Sequence, residues 1–215
     1  MLTLAPAIEP ELSATRPLGP WANGLQMSPE EYERATEWDP FYRYELVNGV
    51  LVVSPPADIG ERSPNDFLGY LLQSYKYSHP LGSHLDETAP EQSVRTSAGW
   101  RRMDRAIWAG FNRPIRDTRD VPTITVEYVS DTSRDRRRDF VQKRAEYAAI
   151  GVKEYWIIDR FNRSLTVIRG ADVAVIGENQ IHKTDLLPGF ELPVGRLLAV
   201  ADRLVEPPES SAFPE

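Results

Sequence analysis

The stretch "TITVEYVSDTSRDRRRDFVQKRAEYAAIGVKEYWIID", residues 123–159, decides how the chain is organised. Its opening alternates: Thr125, Glu127 and Val129 fall on one face of an extended segment, and Ile124, Val126 and Tyr128 on the other. Glu127 is therefore an acid inside a run that otherwise reads as buried, near the strand's end. SRDRRRDFVQKRAEYAAIG then reads as a helix, with Ser133 as N-cap and Gly151 as the C-terminal stop. KEYWIID and RSLTVIRG read as strands joined by a turn at Arg160 to Arg163.

Upstream, MSPEEYERA carries Ser28 as N-cap, Pro29 at the first helical position and Glu31 three residues after the cap, a capping box that opens a short helix. In YRYELVNGVLVVSPP, Asn48-Gly49 lies between two apolar runs, so Tyr44 to Val47 should pair antiparallel with Val50 to Val53. Residues 64–78 place Phe67, Leu68, Leu71, Leu72 and Tyr75 at helical spacing, a second helix facing the core. Short extended segments follow around Ser83 to Asp86 and Glu91 to Arg95, then MDRAIWA. In that strand Asp104, Ala106 and Trp108 share one face, and Met103, Arg105 and Ile107 the other. Near the end, LLPGFELPVGRLLAVADRL gives a turn, a short extended piece and a last helical turn or two. The order of helices and strands indicates a mixed α/β domain.

With 215 residues, one domain with a proper core is expected. Residues 1–25, rich in Pro, Ala and Gly, read as a mobile arm, residues 26–205 as the single domain, and residues 206–215 as a flexible tail. No apolar stretch approaches the roughly 18 to 20 residues that span a bilayer. The N-terminus lacks the basic start and apolar centre of a secretory signal, so a cytoplasmic location is the expectation. The absence of cysteine excludes disulfides, thiolate zinc sites and cysteine nucleophiles, and three scattered histidines argue against a histidine-rich metal site.

Net charge is −7, yet residues 95–144 hold 13 Arg/Lys against 7 Asp/Glu. Half the cations thus sit in a quarter of the chain. They either solvate an exposed loop and helix or form a basic surface for a polyanion.

An acid in a buried strand is costly unless it is paired or metal-bound. For Asp104 or Glu127 alone, an ion pair with a nearby arginine is the ordinary explanation. Two acids on consecutive strands shift that weighting. On neighbouring strands, both carboxylates can meet a hard cation such as Mg²⁺, which prefers oxygen ligands and polarises a phosphoryl oxygen. Lys143 shares a helical ridge with Arg136, Phe140 and Tyr147, bordering a stripe of Val141, Ala145 and Ala148, and could lean over the sheet toward the acids. An ordinary i, i+4 pair with Asp139 is its alternative use.

The segments RYELVNGVLVVSPP, MDRAIW, residues 123–159 and LLPGFELPV together resemble the Uma2 (DUF820) family over roughly residues 28–203. That family belongs to the PD-(D/E)XK nuclease superfamily. The resemblance implies a restriction-endonuclease-like αβββαβ core, with a mixed central sheet flanked by helices, preceded here by the N-terminal helix and β-hairpin. It further implies that Asp104 is the motif's aspartate, Glu127 its second acid, Lys143 a lysine moved from the strand to the following helix, and Glu45 a further acid. Met103 stands where the family has proline, Val129 stands two residues after Glu127, and no histidine falls between Ser54 and Ser78.

The function expected is Mg²⁺- or Mn²⁺-dependent hydrolysis of phosphodiester bonds, most naturally in DNA. Asp104 and Glu127 would be the ligands, Lys143 and Glu45 would complete the catalytic set, and Arg134, Arg136, Arg137 and Arg138 would contact phosphates. A homodimer is left open. The rival is a non-catalytic module that binds nucleic acid or protein on the same fold, with its acids merely ion-paired.

Overall fold

The computed structural model describes residues 16–116, 120–129 and 136–202. Ser28 caps the short helix α1 (Pro29–Arg34) through the expected capping box, with the Ser28 hydroxyl accepting from the Glu31 N–H and Glu31 from the Ser28 N–H. Strands β1 (Arg43–Val47) and β2 (Val50–Ser54) form the expected antiparallel hairpin. Its turn places Asn48 and Gly49 at φ of 51° and 77°, the left-handed region that Asn-Gly accommodates.

Helix α2 (Ile59–Ser78) begins five residues earlier than residue 64, capped by the Asp58 carboxylate on the Glu61 N–H. Pro64 lies within the helix rather than at its start, where it has no N–H to donate to the Gly60 carbonyl. Leu68, Leu72 and Tyr75 are buried as expected, with Phe67 and Leu71 partly buried beside them. The two extended segments foreseen before MDRAIWA are one strand, β3 (Leu85–Thr96). It turns tightly into β4 (Gly99–Ala109), so Asp104 sits mid-strand rather than near its start.

Strand β5 (Ile124–Tyr128), helix α3 (Arg136–Ile150) and strand β6 (Glu154–Asp159) follow, and β5 and β6 pair in parallel across the α3 connection. The segment α2-β3-β4-β5-α3-β6 is the αβββαβ core. Strands β7 (Ser164–Arg169) and β8 (Asp172–Gly177) extend the sheet antiparallel, β8 being an additional strand. Strands β9 (Ile181–His182) and β10 (Leu192–Pro193) pair with each other, and α4 (Val194–Asp202) ends the described chain.

The sheet has two covered faces. On one, Ile107, Ile124, Val126, Tyr128, Trp156 and Ile158 meet the apolar sides of α2 and α4. On the other, Met103, Ala106, Trp108, Val129 and Ile157 pack with Tyr147 of α3. β5 thus alternates as its sequence indicates. β4 does not: Met103 joins Ala106 and Trp108, while Arg105 donates to Asn65 of α2 at 2.7 Å on the opposite side with Ile107. The phase slips at Asp104, beside Glu91 of β3, which is held at a φ of 53°.

A third cluster, built from Leu18, Ala22, Met27, Tyr44, Leu46 and Leu51, joins the N-terminal segment to the hairpin. Residues 16–25 therefore pack against the domain rather than belonging to an arm, because Leu18 and Ala22 bury apolar surface there. Residues 1–15 and the tail from 206 lie outside the described residues. Among the described residues no helix is long and apolar enough to cross a membrane.

Candidate functional site

β3 lies along one edge of β4 from Gly99 to Ala109, so β1 and β5 share the other edge. β1 pairs with Gly99 and Trp100, and β5 with Arg105 to Ile107. Between them the two strands part, leaving a fork along Arg101 to Asp104. Two carboxylates from the sequence reading take backbone donors there: the Arg102 N–H donates to Glu45 Oε1 at 2.9 Å, and the Tyr128 N–H to Asp104 Oδ2 at 2.7 Å. Carrying the β4–β5 register one residue beyond Arg105–Val126 sets Asp104 against Glu127.

Lys143 closes this arrangement from α3. Its ammonium lies 3.0 Å from Glu127 Oε1 and 3.7 Å from Glu45 Oε1. Tyr147, one turn further on, donates its hydroxyl to the same Glu127 oxygen at 2.7 Å. On the flank, Arg101 is buried and clamps Glu146 of α3 with two bonds of 2.7 and 2.6 Å. That clamp fixes α3 against β4 and so fixes how far Lys143 reaches. The inward ridge of α3 is thus Lys143, Glu146 and Tyr147. Val141, Ala145 and Ala148, the apolar stripe that Lys143 borders, are exposed. The helix turns its polar edge inward because the sheet beneath it offers carboxylates and a guanidinium rather than an apolar surface alone.

Charge at the fork is out of balance with its surroundings. Burial pushes the Glu127 carboxyl up to about 7, with Asp104 and Glu45 adding to the effect and Lys143 and Tyr147 opposing it. Burial likewise raises Asp104, while the Tyr128 N–H, Lys143 and Arg43 pull the other way. Desolvation works against the Lys143 ammonium, but Glu127, Glu45 and Asp104 outweigh it and hold the amine above its ordinary value. The three carboxylates thus favour the charged form of Lys143.

Asp104 also has the partner that the ordinary explanation calls for. Arg43 Nη1 donates to Asp104 Oδ1 at 3.2 Å and lies 3.7 Å from Glu91 and, through Nη2, 4.0 Å from Glu61. Glu127 pairs instead with Lys143, and an arginine plays no part in that bond. Glu61 is buried on α2, and burial together with Asp104 raises it to about 7. Arg43, Glu61 and Tyr147 are site residues that sequence reasoning missed. Arg43 and Tyr147 carried a signal: one shares the strand face of Glu45 two residues on, the other the helical ridge of Lys143. Glu61 carried none, since it occupies an ordinary third position of a capped helix.

Arg134 lies outside the described residues, and Arg136, Arg137 and Arg138 form the first turn of α3 with side chains that also lie outside them. Among the described residues no group of three or more His, Cys, Asp and Glu side chains is arranged to hold a metal ion.

No curated protein matches the chain. Among solved structures it is similar to "a putative nuclease belonging to DUF820" from Anabaena variabilis ATCC 29413, with 14% identity and a TM-score of 0.65 over 81% of this chain and 99% of that one. At that identity the likeness shows the fold. Residues 29–195 match the model of Uma2, a family described as "Putative restriction endonuclease". That match spans the hairpin, both strands of the fork and α3, and the chain belongs to the Uma2 family.

Proposed function

We propose that this chain is a Mg²⁺-dependent endonuclease, with Mn²⁺ as a substitute, that hydrolyses phosphodiester bonds in DNA. The observation that carries the reading is the fork itself, where acids on neighbouring strands face each other and a lysine held charged lies 3.0 Å from one of them. Asp104 and Glu127 would hold the ion. Their hard oxygens suit magnesium, which is ordinarily bound by one or two carboxylates with waters and substrate phosphate supplying the remaining positions. When bound, such an ion polarises a phosphoryl oxygen and lowers the pKa of a coordinated water.

The chain's own residues do the positioning. Tyr147 fixes Glu127 Oε1 and leaves the second oxygen of Glu127 for the ion, whereas Asp104 takes the Tyr128 N–H on Oδ2 and Arg43 on Oδ1, so an ion would displace Arg43 from Oδ1. Lys143 supplies a positive charge where negative charge builds on a phosphoryl group under attack, or a donor that orients the attacking water. Glu45, anchored by the Arg102 N–H, aims that ammonium. Helix α3 rises about 10 Å over the seven residues from Arg136 to Lys143. Arg134, Arg136, Arg137 and Arg138 therefore belong to a stretch that would follow the phosphate backbone away from the site.

The test is nicking of supercoiled plasmid DNA with Mg²⁺, with Mn²⁺ and with chelator, comparing wild type with Asp104→Asn and Glu127→Gln. Ion-dependent nicking that falls by orders of magnitude in both variants is expected. An inert wild type that also gains no thermal stability from either ion would favour the rival, a non-catalytic binding module. The specific feature on that side is Arg43, which already neutralises Asp104.

A further inference from the structure

The fork that β1 and β5 leave along β4 has a second face. Opposite Glu45 and Lys143 it holds a cavity of about 490 Å³ whose walls include Tyr32, Trp38, Tyr42, Tyr44, Trp100 and Arg102. That volume falls within the range of small-ligand sites, roughly 300–1,000 Å³. We propose that this pocket takes a single unstacked nucleobase of the substrate strand, next to the phosphate at the fork. The inference rests on the nucleic-acid substrate of the reading above.

Four observations carry it. The rings are set for stacking: Tyr32 and Trp100 lie 6.1 Å apart at 21°, while Trp38 is tilted against both Tyr32 and Tyr44 at 5.1 and 4.6 Å. Their polar edges are tied down, with Trp38 Nε1 donating to the Ala35 carbonyl, the Tyr32 hydroxyl to the Tyr44 carbonyl and Trp100 Nε1 to Glu33. A wall fixed in this way loses little freedom when a flat ring enters. A cation lines the same space: Arg102 offers a guanidinium plane, the group that stacks on bases.

The pocket is also linked to the acids through Arg102, which lines it. Arg102 bonds Glu91 through Nε at 2.8 Å and Glu45 through its backbone N–H, and Glu91 adjoins the Arg43 that holds Asp104. Glu45 is near enough to Tyr32 that it adds to the burial raising that hydroxyl. Along β4, Arg102 and Trp100 lie about 7 and 13 Å from Asp104, a span of one or two nucleotides. Extracting a base costs a few kcal/mol in a duplex and least in single strands. The site therefore selects single-stranded, frayed or mismatched DNA.

The test uses the full chain in chelator, so it requires neither ion nor cleavage. Affinity is measured by fluorescence anisotropy for a short single-stranded oligonucleotide and for the same oligonucleotide with abasic residues in its central stretch. Stacking one base on aromatic side chains predicts tighter binding of the intact strand by about 10-fold, with quenching of tryptophan fluorescence. Ser93→Trp fills the cavity from β3 without removing a wall, and Trp100→Leu removes one. Both should erase the preference while keeping affinity for the abasic strand. Equal affinities in the wild type, retention of the preference by Ser93→Trp, or no binding of either strand would overturn the proposal. Plasmid nicking is scored separately: nicking without base preference removes only the pocket, and base preference without nicking removes only the enzyme.

Discussion

The ammonium of Lys143 on α3 sits between Glu127 of β5 and Glu45 of β1, 3.0 Å from one and 3.7 Å from the other. One helix residue thus ties together two strands that share an edge of β4 without pairing along the fork. Lys143→Met should leave Glu127 and Glu45 facing each other without their shared cation. Breaking a buried pair on one side typically costs about 3 kcal/mol, and a loss of that size is expected in metal-free urea denaturation, with nicking abolished. Full metal-free stability in this variant would show that the pair contributes nothing to the fold.

Glu127 should make metal-free stability depend on pH in a defined direction. Its folded value is raised to about 7 from an ordinary 4.5, so the folded chain holds a proton that the unfolded chain has released between those values. The Glu127 contribution therefore favours folding at pH 4.5 and diminishes as pH rises through 7. Glu127→Gln keeps the Tyr147 bond and removes the titration. Melts in chelator should give a flatter profile, with the variant at least as stable as wild type at pH 8. A variant clearly less stable at pH 8, with an unchanged response to Mg²⁺, would mean that the charged pair with Lys143 outweighs the repulsion, and the ligand assignment would fall.

Arg43 competes with any cation for Asp104. Removing its charge with Arg43→Gln should tighten Mn²⁺ binding in the absence of DNA, by about 10-fold for a change of about 1.4 kcal/mol in the local field. Stability without metal should drop, since Asp104 and Glu61 lose their shared partner. Calorimetric titration with Mn²⁺ reads the first effect and thermal melting the second. Unchanged Mn²⁺ affinity would indicate that Asp104 is not a ligand.

The arginines at the start of α3 predict a salt slope. If Arg134, Arg136, Arg137 and Arg138 each neutralise a phosphate, replacing all four with alanine should reduce the dependence of log affinity on log salt by up to about 3.6 for duplex DNA. Anisotropy across a range of salt concentrations measures it. An unaltered slope assigns these side chains to solvent.

Much of the architecture was legible because it is locally encoded. Asn48-Gly49 specified its hairpin, Ser28 and Glu31 their cap, and the alternation in TITVEYV both faces of β5. Asp104 and Glu127 could be singled out as acids in strands that otherwise read as apolar, whereas Glu45 came only from the family resemblance and Lys143 from its helical ridge together with that resemblance. What could not be read was set by partners distant in sequence. The face α3 buries depends on Arg101 and Glu45 beneath it, and its own apolar stripe pointed the other way. The phase slip at Asp104 depends on Glu91 across the strand pair. The start of α2 was obscured because Pro64 resembles a first-turn proline, although Asp58 caps the helix earlier.

The fork also turns two backbone amides into spectroscopic reporters. In an uninterrupted sheet the N–H groups of Arg102 and Tyr128 would bond to carbonyls of a neighbouring strand, insensitive to chemistry. Here each donates to a carboxylate of the site, Glu45 and Asp104 respectively. Ion binding or protonation at those acids must therefore move the two amide nitrogen resonances and alter their exchange with deuterium, while amides one residue along report only the sheet. A titration followed at these positions would separate events at Asp104 from events at Glu45 residue by residue, without substituting either acid.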